Sequence, residues 1–170
     1  LLDVMKPEQI AAALAADGSV DPGALRVIHT AYSSPRVTVE GTRNMLEAAL
    51  RAGVARFVYI STTEVYGTPR GQVDETHPLT PTGNEYGDSK IEAERLCWEY
   101  GEKGLPVTVV RPTIVYGPFG RTWTVEMAAK LQSVAILNCP GSAKEADYEY
   151  RADFSSRLTY LVSPQVRVLP

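Results

Sequence analysis

Residues 37–62 read VTVEGTRNMLEAALRAGVARFVYIST, and this stretch predicts a helix followed by a strand. Gly53 stands where a helix needs a C-terminal cap, and RFVYIST at residues 56–62 is a compact β-branched and aromatic run of strand length. The helical part places small and apolar side chains on one face: Val39, Thr42, Leu46, Ala49 and Leu50. A helix that leads through a glycine turn into an apolar strand is a unit of α/β folds.

The flanking sequence repeats the same order of elements. RVIHTA at residues 26–31 and VTVVRP at residues 107–112 predict two further strands, and a second helix is predicted from about Glu85 to Gly101 or Gly104. Strand, helix, strand, helix, strand, with near-continuous apolar strands, predicts a parallel sheet with right-handed crossovers whose strands are buried on both faces. The predicted fold class is therefore α/β, one half of a doubly wound sheet.

The two ends of the chain carry weaker patterns. KPEQIAAALAADG at residues 6–18 predicts a short amphipathic helix with Pro7 early and Gly18 at its exit. The last thirty or so residues have no clean periodicity, although RLTYLV at residues 157–162 and QVRVL at residues 165–169 are strand candidates. We expect a small irregular C-terminal region after the sheet.

Composition limits the classes of partner. The chain has 170 residues with 44% hydrophobic content, and 17 basic side chains against 20 acidic ones give a net charge of −3. Because no Lys/Arg run is present, we expect no nucleic-acid partner and no membrane partner, and a small-molecule substrate instead. Cys97 and Cys139 lack the spacing of a zinc or redox site, and His29 and His77 lack ligand spacing, so no metal is expected. A cytoplasmic location is the accompanying prediction.

Tyr86 and Lys90 in YGDSK are four residues apart on the second predicted helix, and they therefore share one face. The ordinary pKa of a phenol, near 10, is too high for a general base at neutral pH, and a neighbouring ammonium lowers it. Ser61, Thr62 and Thr63 follow the strand at the edge where open α/β sheets bind ligands. Taken alone the spacing is a weak signal, and a tyrosine stacked on a lysine stem is the alternative.

Four blocks in the correct order carry a family resemblance: VIHTA, EGTRNMLEAALRAGVARFVYISTTEVYG, DETHPLTPTGNEYGDSKIEAE and LPVTVVRPTIVYGP, within residues 27–118. They closely resemble the extended short-chain dehydrogenases, the NAD-dependent epimerase/dehydratase family. The resemblance implies a Rossmann-like sheet and an enzyme that uses NAD or NADP for reversible hydride transfer at a hydroxyl or ketone carbon. A nucleotide sugar is one substrate class that it implies.

The resemblance also implies residue roles. Tyr86 is the catalytic acid/base, Lys90 lowers its pKa and holds the nicotinamide ribose, and Thr62 binds the substrate oxygen. Glu64 is a second base, or alternatively a residue that caps or salt-bridges the following loop. Thr63 cannot serve as an acid, so decarboxylation or epimerisation is favoured over an Asp-dependent dehydration. The implied cofactor-binding residues are Thr30, Ala31, Ser61, Tyr86, Lys90, Pro112 and Thr113.

The chain departs from the family pattern in one large respect. None of its 13 glycines forms the Gly-x-x-Gly-x-x-Gly turn that receives the pyrophosphate. We therefore expect an N-terminally truncated member, with residues 1–122 as a partial Rossmann-like NAD(P)-binding domain and residues 123–170 as a partial or divergent substrate-binding region. In that case the strand at 26–31 is an exposed apolar edge, which a homodimer would cover. A non-catalytic fragment or an assembly protein is the alternative function.

Three smaller departures lie near the predicted site. Tyr32 stands where the family usually has a small residue against the cofactor, and Thr38 stands where it commonly has an asparagine. Ile114 takes the place of an asparagine that contacts the substrate side in many nucleotide-sugar enzymes. The loss of that polar group favours a more apolar carbonyl or hydroxyl compound.

Overall fold

A computed structural model describes residues 2–15 and 24–115 together with the backbone of residues 166–168. Within these ranges the helices are α1 (Pro7–Ala15), α2 (Thr42–Ala52) and α3 (Glu85–Glu102), and the strands are β1 (Arg26–His29), β2 (Arg56–Ile60), β3 (Val107–Val110) and β4 (Val166–Val168). A π-helical turn, Val37–Gly41, leads into α2, and a 3₁₀ turn, Thr63–Tyr66, follows β2.

The sheet has the strand order β1-β2-β3-β4. β1 pairs with β2 and β2 with β3, both in parallel, so the predicted α/β fold with a parallel, doubly wound sheet is confirmed. β4 confirms the strand predicted in QVRVL, and it pairs antiparallel with β3. Residues 116–165 lie outside the described residues, so the RLTYLV strand predicted there, like the domain boundaries, stays a prediction.

Both long helices begin and end where their sequences indicate. Gly53 ends α2 with a left-handed φ of 65°; its own N–H donates to the carbonyl of Leu50, and the N–H of Val54 donates to that of Ala49. Asn84 caps α3, since its Oδ1 accepts from the backbone N–H of Tyr86 at 3.1 Å. The π-helical turn before α2 differs from the continuous α-helix predicted from residue 37.

The core lies against one face of the sheet. Val27, Phe57 and Val107 are aligned across the three parallel strands and are buried against α2 and α3. The helices contribute Leu46, Ala49, Ala93, Leu96 and Cys97 to the same cluster. The registered row of apolar side chains fixes α2 and α3 over the sheet, and with them the carboxyl ends of the strands.

Burial on both faces, predicted for all three strands, is wrong for β1. Val27 and His29 are buried, whereas the intervening Ile28 is 68% exposed. The reason is that the core packs only against the side of β1 that carries Val27 and His29. β3 does have three consecutive buried residues, Val107 to Val109.

Across the stretches that the structure describes, we find no helix long and apolar enough to cross a membrane.

Candidate active site

The carboxyl ends of β2 and β3 form the floor of the site. The backbone N–H of Ser61 donates to the carbonyl of Val110 at 2.7 Å, and that of Thr63 donates to the carbonyl of Pro112 at 3.1 Å. Thr62, extended at φ −158°, starts the 3₁₀ turn, and its Oγ1 accepts from the N–H of Glu64 at 3.3 Å. These bonds hold the Thr62 hydroxyl at the sheet edge where the sequence predicts ligand binding.

Tyr86 lies directly over this edge. Its half-buried phenol lies near enough to the Thr62 hydroxyl for Thr62 to affect its pKa, so two of the predicted catalytic residues are neighbours. Burial raises the pKa of Tyr86, the Thr62 hydroxyl acts in the opposite direction, and the nearby Glu64 carboxylate adds to the rise. The phenol is therefore protonated at neutral pH in this arrangement.

Lys90 lies one turn further along α3, on the same face as predicted. Its side chain is almost fully buried, and Nζ donates to the carbonyl of Ile60 at 2.9 Å. Nζ also lies 5.9 Å from the centroid of the Tyr86 ring and 4.9 Å from that of Tyr59. Burial lowers the pKa of Lys90 to about 8, partly offset by the electrostatic effects of the neighbouring Cys97 and Glu94. The role of Lys90 in lowering the pKa of Tyr86 stays a prediction.

Glu64 is exposed beside Tyr86, and its Oε2 accepts from Asn84 Nδ2 at 2.9 Å. Since Asn84 is the cap of α3, this contact ties the 3₁₀ turn to the start of the helix. A structural use of Glu64 is thus visible, while its use as a second base stays a prediction. Thr63 is half-buried and contributes its backbone N–H.

The remaining predicted cofactor residues follow the ends of three strands. Thr30 and Ala31 follow β1, Ser61 follows β2, and Pro112 and Thr113 follow β3. Ser61 is buried, and its hydroxyl has no hydrogen-bond partner in the described part of the chain. A buried hydroxyl of this kind is costly unless it is paired, so Ser61 fits a residue that hydrogen-bonds a ligand.

Sequence reasoning missed a polar network one turn beyond Lys90 along α3. Glu94 and Arg111 form a buried ion pair, with Nη2 to Oε2 at 2.6 Å and Nε to Oε1 at 2.9 Å. Arg111 Nη1 also donates to the Tyr66 hydroxyl at 2.7 Å and to the Glu75 carbonyl at 3.3 Å. The available signal was the helical spacing of Tyr86, Lys90 and Glu94, which places Glu94 one further turn along the same face.

His29 is a second buried polar residue, on the core side of Lys90. Its Nε2 lies 3.0 Å from Thr42 Oγ1, between β1 and α2. Burial lowers the pKa of His29 to about 4, and the positive charge of Lys90 acts in the same direction. The imidazole is thus neutral and bonded within the core. No cluster of metal-ligating side chains was found among the described residues.

A parallel sheet, a tyrosine and a lysine one turn apart on a following helix, and a threonine hydroxyl near that tyrosine define a short-chain-dehydrogenase-like α/β domain. A sequence model of the NAD dependent epimerase/dehydratase family matches residues 2–140. The chain belongs to that family, as its four sequence blocks indicate.

Two curated relatives cover part of the chain. It is 42% identical over 106 residues to dTDP-D-glucose 4,6-dehydratase of Mus musculus, which covers 61% of this chain and 28% of the relative. It is 39% identical over 88 residues to N-acetyl-alpha-D-glucosaminyl-diphospho-ditrans,octacis-undecaprenol 4-epimerase of Escherichia coli O157:H7, which covers 50% of this chain and 26% of the relative. The chain thus spans about a quarter of the length of these relatives.

Two solved structures share the fold. DesIV, a dTDP-glucose 4,6-dehydratase from Streptomyces venezuelae with NAD and DAU bound, has a TM-score of 0.63 at 26% identity, over 77% of this chain and 43% of DesIV. The Bordetella bronchiseptica enzyme WbmH in complex with NAD+ has a TM-score of 0.61 at 25% identity, over 78% of this chain and 46% of WbmH.

Proposed function

We propose that this protein is an NAD-dependent enzyme of the epimerase/dehydratase family that acts on a nucleotide sugar. The observation that carries the proposal is the placement of Tyr86 and Lys90 on one face of α3 at the carboxyl edge of the parallel sheet, where Lys90 Nζ donates to the carbonyl of Ile60 and lies 5.9 Å from the centroid of the Tyr86 ring. The family match supports the cofactor, and the relatives named as a dTDP-glucose dehydratase and a sugar 4-epimerase support the substrate class.

Tyr86 carries the proton in this proposal. Its phenolate form takes the proton from a substrate hydroxyl, while the Thr62 hydroxyl donates a hydrogen bond to the same substrate oxygen. The Thr62 hydroxyl lies near the phenol and acts to lower the pKa of Tyr86, so the two groups are placed to reach one substrate oxygen. In the reverse direction the phenol returns the proton to the oxygen as the carbonyl is reduced.

NAD, when bound, supplies the hydride acceptor, and its cationic ring adds the positive charge that brings the pKa of the phenol toward neutrality. Three residues of this chain suit the nicotinamide end. The Ser61 hydroxyl is buried without a partner among the described residues. Lys90 Nζ donates one hydrogen bond to the carbonyl of Ile60, and an ammonium has three N–H donors, so others can serve a ligand. Thr113, exposed at the end of β3, offers a further hydroxyl. NAD is proposed over NADP because solved relatives were crystallised with NAD.

The nucleotide sugar is proposed over the apolar substrate that Ile114 favours. Both curated relatives carry a nucleotide-activated or diphosphate-linked sugar in their names. Glu64 decides between the reaction types in the proposal. As a second base beside Tyr86 it removes a proton next to the transient ketone, and without an acid at Thr63 the expected outcome remains epimerisation or decarboxylation.

The test starts from cofactor binding. We expect NADH fluorescence to rise on saturable binding to the 170-residue chain, and Lys90→Met to weaken that binding. Lys103→Met is the matched control, because Lys103 is an exposed lysine of the C-terminal end of α3 that pairs with Glu99. Absence of any saturable dinucleotide binding would overturn the proposal for this chain.

Turnover tests the proton carrier. With UDP-glucose or dTDP-glucose as the substrate and nuclear magnetic resonance of the sugar ring as the assay, Tyr86→Phe should reduce the rate by roughly 10²–10⁴-fold. NADH binding should persist in that variant. Tyr100→Phe, which changes a buried tyrosine of the same helix outside the site, should leave the rate within a factor of a few. Equal losses in the two variants would contradict the assignment.

A second candidate function, an assembly or binding module, is favoured by β1. This strand is at the edge of the described sheet, and its Ile28 side chain is 68% exposed. An apolar edge of this kind pairs with another chain unless it is covered. Light scattering distinguishes the cases: a dimer that Ile28→Lys dissociates supports assembly, and a clean monomer counts against it.

A further inference from the structure

Tyr32 lies over the outer side of the proposed site. It belongs to the short loop after β1 and is 47% exposed, yet its ring packs edge-on against Tyr86. The two ring centroids are 4.8 Å apart and the ring planes meet at 82°. Offset and edge-on pairs at this separation are favourable, so the contact fixes a loop side chain on the site tyrosine.

The Lys90 ammonium is surrounded by the same rings. Nζ lies 4.9 Å from the centroid of Tyr59, 5.8 Å from that of Tyr32 and 5.9 Å from that of Tyr86. Tyr59 is buried in the core and Tyr86 belongs to the helix that carries Lys90. Tyr32 alone of the three comes from an exposed loop, so its ring can be removed by substitution without changing the core or α3.

Removing water from a phenol and from an ammonium shifts their pKa values in opposite directions. Burial favours the uncharged form of each group, so the pKa of a buried tyrosine rises while that of a buried lysine falls. Tyr86 and Lys90 show this pair of directions, with burial as the first cause for each. The other groups that face Tyr86 are Thr62 and Glu64, and those that face Lys90 are Cys97 and Glu94.

We propose that Tyr32 is a positioning residue of the site: its ring closes the outer side of the Tyr86–Lys90 pair and keeps water from both groups. The inference rests on the proposed function, in which Tyr86 carries the proton. A small residue at position 32 would leave the phenol and the ammonium open to solvent, and both would then titrate closer to their ordinary values.

The experiment measures the two pKa values directly in the 170-residue chain. Nuclear magnetic resonance of ¹³C-labelled tyrosine and lysine follows each titration, with Tyr86→Phe and Lys90→Met assigning the signals. In Tyr32→Ala we expect the pKa of Tyr86 to fall and that of Lys90 to rise from about 8, each by roughly one unit or a tenfold change in proton affinity. Tyr32→Phe keeps the ring and should leave both pKa values unchanged.

His29 provides the internal control for folding. Its pKa is lowered to about 4, mainly by burial, and its Nε2 lies 3.0 Å from Thr42 Oγ1 of α2. Opposite movements of Tyr86 and Lys90 with His29 still far below its ordinary pKa support the proposal. If the pKa of His29 also returns toward its ordinary value in Tyr32→Ala, the same three pKa values are measured in Tyr32→Ser and judged in the same way. Unchanged Tyr86 and Lys90 in a folded Ala or Ser variant overturn the proposal.

The outcome is separable from the test of function. Neither titration needs turnover or bound dinucleotide. If Tyr32→Ala moves both pKa values but the chain binds no NADH, the enclosure stands and the proposed enzyme activity fails. If NADH binds and neither pKa moves, the activity stands and the role of Tyr32 fails.

Discussion

Two tyrosine–cation pairs lie along the same face of α3, and they are built differently. Tyr66 accepts a 2.7 Å hydrogen bond from Arg111, whose charge is neutralised by the buried Glu94 carboxylate. Tyr86 lies beside Lys90, whose Nζ donates to a backbone carbonyl and faces aromatic rings. The first pair has its charge balanced in place, whereas the second holds an ammonium with a lowered pKa near a phenol with a raised one.

The difference shows what separates a structural pair from a reactive one. A planar guanidinium held by a carboxylate stays charged at every accessible pH, so Arg111 can anchor Tyr66 but cannot exchange protons with it. A lysine whose pKa is about 8 and a half-buried phenol change state with small changes in their surroundings. Substitutions that disrupt one pair at a time test this difference.

The largest effect is expected from Glu94→Gln. This change leaves Arg111, 4% exposed, without a compensating charge, and breaking a buried ion pair costs about 3–5 kcal/mol. Urea unfolding measures the loss. Glu92→Gln on the same helix removes the exposed partner of Arg95 and should cost less than about 1 kcal/mol. Similar losses in both variants would mean that the buried network adds nothing to stability.

The next effect is a pH dependence from His29, which lies beside the reactive pair. Its pKa is about 4 in the folded chain and 6.5 when unperturbed, so the unfolded chain binds the proton first as the pH falls. Stability from this group is therefore complete above pH 6.5 and is lost as the pH falls toward 4, by roughly 3 kcal/mol in total.

Urea unfolding between pH 5 and 6.5 isolates this slope, because the lowered carboxyl pKa values of Asp74 and Glu99 act at lower pH. His29→Asn should remove it. Lys90→Met should raise the pKa of His29 only partly toward 6.5, since burial is the larger cause and the lysine charge the smaller. A full return to 6.5 in a folded Lys90→Met variant would reverse that order of causes.

The two tyrosines should separate stability from activity. Tyr66→Phe removes the acceptor for Arg111 Nη1 inside a buried network, which costs about 1–3 kcal/mol of unfolding free energy. Turnover per folded molecule should change little in that variant. Tyr86→Phe loses a hydroxyl from a half-buried ring and should change stability by less than about 1 kcal/mol. A Tyr66→Phe variant that is fully stable but inactive would contradict the structural role given to Tyr66 and would point to Tyr66 as the tyrosine that activity requires.

The sequence predicted elements and local pairs far better than it predicted contacts between distant residues. The end of α2 at Gly53, the start of α3 near Glu85 and the shared face of Tyr86 and Lys90 all follow from helical periodicity and capping. These features depend on residues within a few positions of one another, so the local sequence suffices to specify them.

Longer-range features escaped prediction because no local pattern encodes them. Glu94 and Arg111 are 17 residues apart, and Arg111 and Tyr66 are 45 apart, so their pairing depends on how α3 lies against the ends of the strands. The edge-on contact of Tyr32 with Tyr86 likewise joins the loop after β1 to the first turn of α3. One-sided burial of β1 was missed because a β-branched run looks the same whether one or both faces are covered.

The smallest effect concerns Asn84, which joins the reactive pair to the start of α3. Its Oδ1 caps Tyr86 N–H, and its Nδ2 donates to Glu64 at 2.9 Å. Asn84→Ala loses both bonds and should cost about 1 kcal/mol of stability. Asn84→Asp keeps the cap acceptor, so its stability should stay within about 0.5 kcal/mol of the parent, but it replaces the donor to Glu64 by a second carboxylate.

Asn84→Asp should therefore act on the site rather than on the fold. The charge of Glu64 already raises the pKa of Tyr86, and a second negative charge at position 84 should raise it further. Titration of ¹³C-labelled tyrosine measures this shift, with Asn84→Ala as the matched variant that breaks the same bond without adding charge. A pKa of Tyr86 that rises equally in both variants would assign the change to fraying of α3 at its first turn. A rise confined to Asn84→Asp would show that the pKa of Tyr86 responds to a charge placed beside the Tyr86–Lys90 pair. The Tyr66–Arg111 pair, whose charge is balanced by Glu94, should show no such response.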